Sequence, residues 1–325
     1  VHGFKVNDSG ASVSFRNEEI PFKKKDEQRI LFLGDSGTIG WGVDFNQSFP
    51  LQLKKRLDEE YPEHNYKVMN GGVYGFNTYD AFKLLTEKLF VVNPDSIVLG
   101  FFMANDINFN LKSSPYLFYL PKPVTSLSKW LKKKSSLYHA LGLRLLALNN
   151  RYKFSVVHDL KHPPFFLSSI NLMEPGGLHM LNYQQGEIAG YKKEYSVLME
   201  HAFSLTEEVL SKFKKFCLER DIDFKVLLIP ATAAIAGKYI SLVDPDILKK
   251  LNELQISIQD ETLDVLKPTR KILEICKRIQ IHCINPTQEM QKRGLITTIP
   301  GDDHPSVEGH RILASSLYEF FIPKK

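Results

Sequence analysis

Four short apolar runs, each cut off by glycine, asparagine or proline, constrain this chain more than any other feature of its sequence. Arg29-Ile30-Leu31-Phe32-Leu33 stops at Gly34-Asp35-Ser36-Gly37, and Tyr66-Lys67-Val68-Met69-Asn70 stops at Gly71 and Gly72. Ser96-Ile97-Val98-Leu99-Gly100-Phe101-Phe102 gives way to Ala104-Asn105-Asp106, and Phe224-Lys225-Val226-Leu227-Leu228-Ile229 to Pro230. Runs that stay apolar along their length suit strands buried on both faces rather than strands with one wet face. Helical periodicity fills the intervals: residues 49–61, residues 78–89 with Thr78 as N-cap, and a long amphipathic stretch over 196–218. Strand, loop and helix repeating in this way imply βαβ units, a parallel sheet covered on both faces, and polar loop residues gathered at the carboxyl edge of the strands.

With 325 residues and 43% hydrophobic composition, the chain can bury a substantial core. Residues 1–28 read as an N-terminal extension and 29–325 as one α/β domain, interrupted at about 107–190 by aromatic, basic, proline-containing sequence without a clear strand. An interruption of that length is expected to be a mainly helical lid or subdomain, with a leucine-rich helix over 135–149. Inside it, Pro115-Tyr116-Leu117-Phe118-Tyr119-Leu120 and Trp130-Leu131-Lys132-Lys133-Lys134 mix aromatics with lysines. That mixture suits association with a membrane surface or a lipid chain; the plainer expectation is a surface subdomain that packs its aromatics inward. No internal repeat and no low-complexity tract interrupts the chain.

Other classes find little support. The net charge of +5, from 42 basic and 37 acidic residues, does not call for a nucleic acid partner. Cys217, Cys276 and Cys283 lack metal-knuckle spacing and a disulfide framework, so they read as free, buried thiols. No run of 18 apolar residues is present to span a bilayer as a helix. Val1 stands where a start methionine would, which favours an exported or membrane-tethered bacterial protein slightly over a cytoplasmic one. Nothing in the sequence sets the oligomeric state.

The chemistry concentrates on four loops. Ser36 follows the first apolar run within Gly34-Asp35-Ser36-Gly37-Thr38-Ile39-Gly40, where flanking glycines permit a sharp turn and a following helix aims its amides at the hydroxyl. A serine so placed is a candidate nucleophile, and equally a helix cap or part of a phosphate loop. The glycine spacing matches neither the dinucleotide fingerprint nor the lysine-bearing P-loop. Far along the chain, Gly301-Asp302-Asp303-His304-Pro305-Ser306 precedes an amphipathic helix over 306–321. Such a loop can hold an imidazole over the sheet edge while a carboxylate fixes its tautomer. His310, inside that helix, more plainly packs. The loop Asn70-Gly71-Gly72-Val73-Tyr74-Gly75-Phe76-Asn77-Thr78 offers a backbone amide and Asn105 a carboxamide; with the Ser36 amide they would form an oxyanion hole.

Gly34-Asp35-Ser36, Gly75, Asn105-Asp106 and Asp302 to His304, in this order, resemble the four blocks of the SGNH hydrolase superfamily, the GDSL-type lipases and esterases. The likeness runs from about Arg29 to Phe321, leaving out the 107–190 interruption. It implies a three-layer α/β/α sandwich of flavodoxin-like type with a central parallel sheet, and no metal or cofactor. It further implies a serine esterase or acyl hydrolase with Ser36 as nucleophile, His304 as base, Asp302 as its support, and oxyanion donors from the Ser36 amide, the Gly75 amide and the Asn105 side chain. The substrate would be an acetyl or longer acyl ester of a glycan, lipid or small molecule; a variant passes the acyl group to a carbohydrate hydroxyl, and a non-catalytic glycan- or lipid-binding protein is the alternative. Two departures stand out. Gly301 occupies the position three before the histidine where the family places its aspartate, leaving Asp302 or the adjacent Asp303, of which Asp302 is preferred. Ala104, preceded by Phe101, Phe102 and Met103, stands before Asn105 where the family commonly has a second glycine or a polar residue, and affects the expected shape of the acyl pocket.

Overall fold

A computed structural model describes residues 4–6, 13–15, 18–20, 23–110, 189–195, 197–239 and 262–323. The aromatic and lysine-rich runs over 115–134, the expected helix over 135–149 and nearly all of the interruption lie outside the described residues. Near the N-terminus, β1 (Phe4–Val6), β2 (Val13–Phe15) and β3 (Glu18–Ile20) form a small antiparallel sheet.

The main sheet has five strands: β4 (Glu27–Gly34), β5 (Asn65–Gly72), β6 (Ser96–Phe102), β7 (Asp223–Ile229) and β8 (His282–Ile284). All pair in parallel, in the order β5-β4-β6-β7-β8. Four of these are the apolar runs of the sequence, and every residue of β6 is buried, as a central parallel strand requires. Strand β8 went unrecognised because it is three residues long and polar at its start, which an edge position tolerates.

The helices are α1 (Ser36–Ile39), α2 (Phe49–Glu60), α3 (Thr78–Glu87), α4 (Asp106–Asn110), α5 (Val197–Leu218), α6 (Thr232–Ala236), α7 (Lys267–Arg278), α8 (Thr287–Arg293) and α9 (Val307–Tyr318). From β4 the chain steps through α2 to β5 on one side, then returns through α3 to β6 on the other. Right-handed crossovers therefore put α2 and α3 on opposite faces. Helix α9 packs beside α2, whereas α5 packs on α3 and α7, completing three α/β/α layers. The N-cap of α3 is Asn77 rather than Thr78: its side chain accepts from the Asp80 amide at 2.9 Å while Asp80 accepts from the Asn77 amide at 3.3 Å. An asparagine with an acidic residue three positions on outcompetes a threonine one residue later.

The core runs through both faces of the sheet, with Ile30 to Leu33, Ile97 to Leu99 and Val226 to Ile229 fully buried. Reversal of the winding between β4 and β6 opens a crevice at their carboxyl ends, where open α/β sheets bind ligands.

One rung of the sheet lacks side chains on three adjacent strands. Gly72, Gly34 and Gly100 pair across β5, β4 and β6, and α1 is laid directly on them. A Cβ on Gly34 would stand 2.2 Å from Thr38 Oγ1 and 2.6 Å from the Gly100 carbonyl oxygen; one on Gly72 would stand 2.5 Å from the Ile39 amide nitrogen. Gly34 also has φ +146°, a region that only glycine enters cheaply. Gly100→Ala, whose Cβ would lie 2.1 Å from Thr38 Oγ1, is expected to destabilise the fold by about 1–3 kcal/mol. Urea denaturation measures this, and an unchanged midpoint would show that α1 is not seated on the rung.

Candidate active site

Ser36 is the first residue of α1, two residues after the positive-φ glycine that ends β4. Asp35 is the N-cap, its Oδ1 accepting from the Gly37 amide at 2.9 Å, which leaves the Ser36 side chain free of capping duty. Asn70 ties the turn to the neighbouring strand by donating to the Thr38 carbonyl at 3.0 Å and accepting from the Gly72 amide at 3.0 Å. The Ser36 hydroxyl is thus presented from a turn fixed at both ends.

The second loop closes on itself. Thr298 and Pro305 form an antiparallel bridge, the Ile299 amide donates to the His304 carbonyl at 2.9 Å, and Gly301 makes the bend with φ +75°. At its tip, Asp302 Oδ1 accepts from the His304 amide at 2.9 Å and from His304 Nδ1. His304 Nε2 lies 2.7 Å from Ser36 Oγ. The order carboxylate, imidazole, hydroxyl is therefore continuous, 268 residues apart in sequence at its far contact. The hydrogen bond from His304 holds the Asp302 carboxyl below the usual carboxylate range, aided by the His304 amide and the Trp41 indole N–H. A spacing of two rather than three suffices because the side chain and backbone of His304 meet one carboxylate oxygen. Asp303 points elsewhere, toward Thr232 at the start of α6, and burial raises its pKa.

Two aromatic rings flank the imidazole. Phe102, buried at the end of β6, has its centroid 5.2 Å from that of His304, and Trp41 stands at 6.2 Å. Of the apolar residues before Asn105, Phe102 therefore packs against the histidine.

Asn105 follows β6 and is buried; its Nδ2 donates to Asp35 Oδ2 at 3.1 Å, leaving its second N–H available, while its Oδ1 has no partner among the described residues. Asp106 accepts from the Phe102 amide at 2.8 Å and starts α4, so the turn carrying Asn105 is pinned back on its own strand. Asp35 and Asp106 are both buried carboxyls. Burial raises Asp35 to about 6, against hydrogen bonds from Asn105 and Gly37; burial and the charge of Asp35 raise Asp106. Gly75 lies in an exposed turn after β5 with φ +74°, closed by the Phe76 amide donating to the Val73 carbonyl at 3.2 Å.

Ser36, His304 and Asp302 are thus joined by direct contacts, and Asn105 is tied to the residue preceding Ser36. His310 lies apart in α9, where its Nδ1 accepts from the Phe49 amide at 3.2 Å; burial lowers its pKa to about 3 and keeps it neutral. Sequence reasoning missed Asp35, Asn70, Phe102 and Trp41. Trp41 alone gave a signal, an aromatic between Gly40 and Gly42 just past the nucleophile turn. The others look like ordinary loop and strand residues until the rung brings them together.

Neither a protein-family model nor a curated protein sequence matches the chain. Several solved structures are similar at low identity. The acetylxylan esterase Axe2 of Geobacillus stearothermophilus is 16% identical, with 92% of this chain and 98% of that one covered and a TM-score of 0.44. TesA is 12% identical over 91% of this chain and 99% of its own, at a TM-score of 0.43. A two-domain esterase active on acetylated mannans is 11% identical over 90% of this chain and 48% of its own, at 0.45.

Asp35 gives a pH test. Its folded pKa, about 6, lies above the roughly 3.9 of an unfolded aspartate. The stability tied to its neutral form is complete below about pH 4 and is lost as pH rises through about 6. Asp35→Asn should therefore gain on the parent protein by about 1–3 kcal/mol between pH 4 and pH 7. Urea denaturation at the two pH values reads the difference, and a gap independent of pH would mean that burial does not shift Asp35.

Proposed function

We propose that this chain is a serine esterase of the SGNH type, an acyl hydrolase that works through an acyl-enzyme at Ser36. The observation that carries the reading is the unbroken line from Asp302 through both nitrogens of His304 to Ser36 Oγ. A serine hydroxyl is a poor nucleophile alone, and an imidazole at 2.7 Å supplies the base it needs. A binding protein built on the same fold has no use for that alignment.

In the reaction, Ser36 Oγ attacks the acyl carbonyl while its proton passes to His304 Nε2. Asp302 holds Nδ1–H and stabilises the imidazolium, staying ionised throughout. The Ser36 amide, the Gly75 amide and the free N–H of Asn105 Nδ2 donate to the oxyanion. Collapse breaks the bond to the alcohol, which leaves with the proton from His304. Water then repeats the sequence on the acyl-enzyme, giving its proton to His304 and releasing the carboxylic acid and free Ser36. The role of Asp35 is to aim Asn105: an amide already held by one N–H needs no reorganisation when charge develops at the other. The substrate class that fits best is a glycan or small-molecule ester with a short acyl group.

A fluorophosphonate probe tests the nucleophile. Mass spectrometry should find the label on Ser36, and His304→Ala should abolish it; a folded protein that stays unlabelled, or is labelled elsewhere, refutes the reading. Asp302→Asn should keep the fold and lower kcat by roughly 10²–10⁴, as tautomer control is lost.

A further inference from the structure

Beside the triad stands a pair of aromatic rings that nothing in the chemistry above uses. Trp41 and Tyr74 have centroids 5.1 Å apart and planes tilted by 42°, and both are strongly exposed, at 49% and 59%. Large aromatics in contact with one another and left open to water mark binding surfaces more often than packing. Trp41 is also fixed. Its amide donates to the Ser36 carbonyl at 3.0 Å, it follows Gly40 in the left-handed conformation, and its indole lies on the side of the Asp302 carboxylate. A ring immobilised before binding loses little entropy when a ligand lands on it.

The direction of proton transfer says which part of the ester meets this wall. His304 must hand its proton to the departing alcohol oxygen, so the alcohol lies on the imidazole side of Ser36. On that side Phe102 is buried within the fold, whereas the Trp41 ring is open, 6.2 Å from His304 and continuous with Tyr74.

We propose that Trp41 and Tyr74 form the subsite for the alcohol portion of the ester, and that this portion is a sugar ring. A pyranose has a C–H face that packs on the negative face of an aromatic ring and a hydroxyl rim that stays hydrated. A wall about half exposed suits such a two-sided ligand, whereas an alkyl chain gains most from enclosure on all sides. The inference rests on the esterase reading for its direction, since it is His304 that puts the alcohol there.

The test separates the two. Ser36→Ala protein, which binds without turnover, is titrated by calorimetry with a methyl mono-O-acetylxylopyranoside, with and without Tyr74→Ala. Binding should weaken roughly tenfold with Tyr74→Ala, the scale of losing one stacking partner, and survive Tyr74→Phe. In the active enzyme, Tyr74→Ala should lower kcat/KM for the pyranoside relative to ethyl acetate about tenfold, mostly through KM. Pyranoside binding that is absent, or indifferent to Tyr74, overturns the subsite, as does an equal fall for octyl acetate, which would make the wall an alkyl site. Should the pyranoside bind through Tyr74 while no ester is turned over, the esterase reading falls and the sugar site stands.

Discussion

The whole arrangement depends on one steric fact: three neighbouring strands present glycine at the same level, so a helical turn can rest on backbone. Gly72, Gly34 and Gly100 form that level, and Thr38 and Ile39 of α1 occupy the space that side chains would fill. Any side chain there would lift α1 away from the sheet. Since Ser36 opens α1 and Asp35 caps it, the height of the turn fixes both the Ser36 hydroxyl and the carboxyl that holds Asn105. Close packing that elsewhere gives stability here gives position.

The same closeness brings an electrostatic cost. Seating α1 on the rung buries Asp35, and pinning the Asn105 turn buries Asp106 within reach of its field. Two acids in one dry region do not ionise independently. The fold retains them because each answers backbone or side-chain donors that would otherwise be orphaned: the Gly37 amide, the Asn105 amide and the Phe102 amide. The unsatisfied Asn105 Oδ1 belongs to the same compromise, since turning the amide to satisfy it would set oxygen against the Asp35 carboxyl.

Much of this was legible in the sequence, for reasons that differ by element. Parallel strands buried on both faces are nearly all apolar, so β4, β6 and β7 announced themselves, and glycine or asparagine at their ends marked the loops that carry chemistry. Strand β8 has three residues at the sheet edge and too little pattern to detect. The sequence favours Asp302 over Asp303 because adjacent side chains rarely turn toward one another, and in the structure Asp302 contacts His304 while Asp303 faces Thr232. The glycine rung was invisible. Each glycine looks like a loop signal or a strand weakness by itself, and only the register of three strands makes them one feature.

Trp41 connects these levels. It lies two residues past the last glycine-seated turn residue, Ile39, and Gly40 and Gly42 give it the backbone freedom to fold back toward His304. A Cβ on Gly42 would lie 2.3 Å from Ile299 Cδ1, so the Trp41 segment and the base of the histidine loop are packed against one another. Any shift of that segment is felt by Asp302 through the indole and by His304 through Ile299, whose amide holds the His304 carbonyl. A ligand resting on the Trp41 ring is therefore mechanically joined to the group that must protonate it. The Trp41 segment and the loop that carries His304 are thus packed as one unit through Gly42 and Ile299.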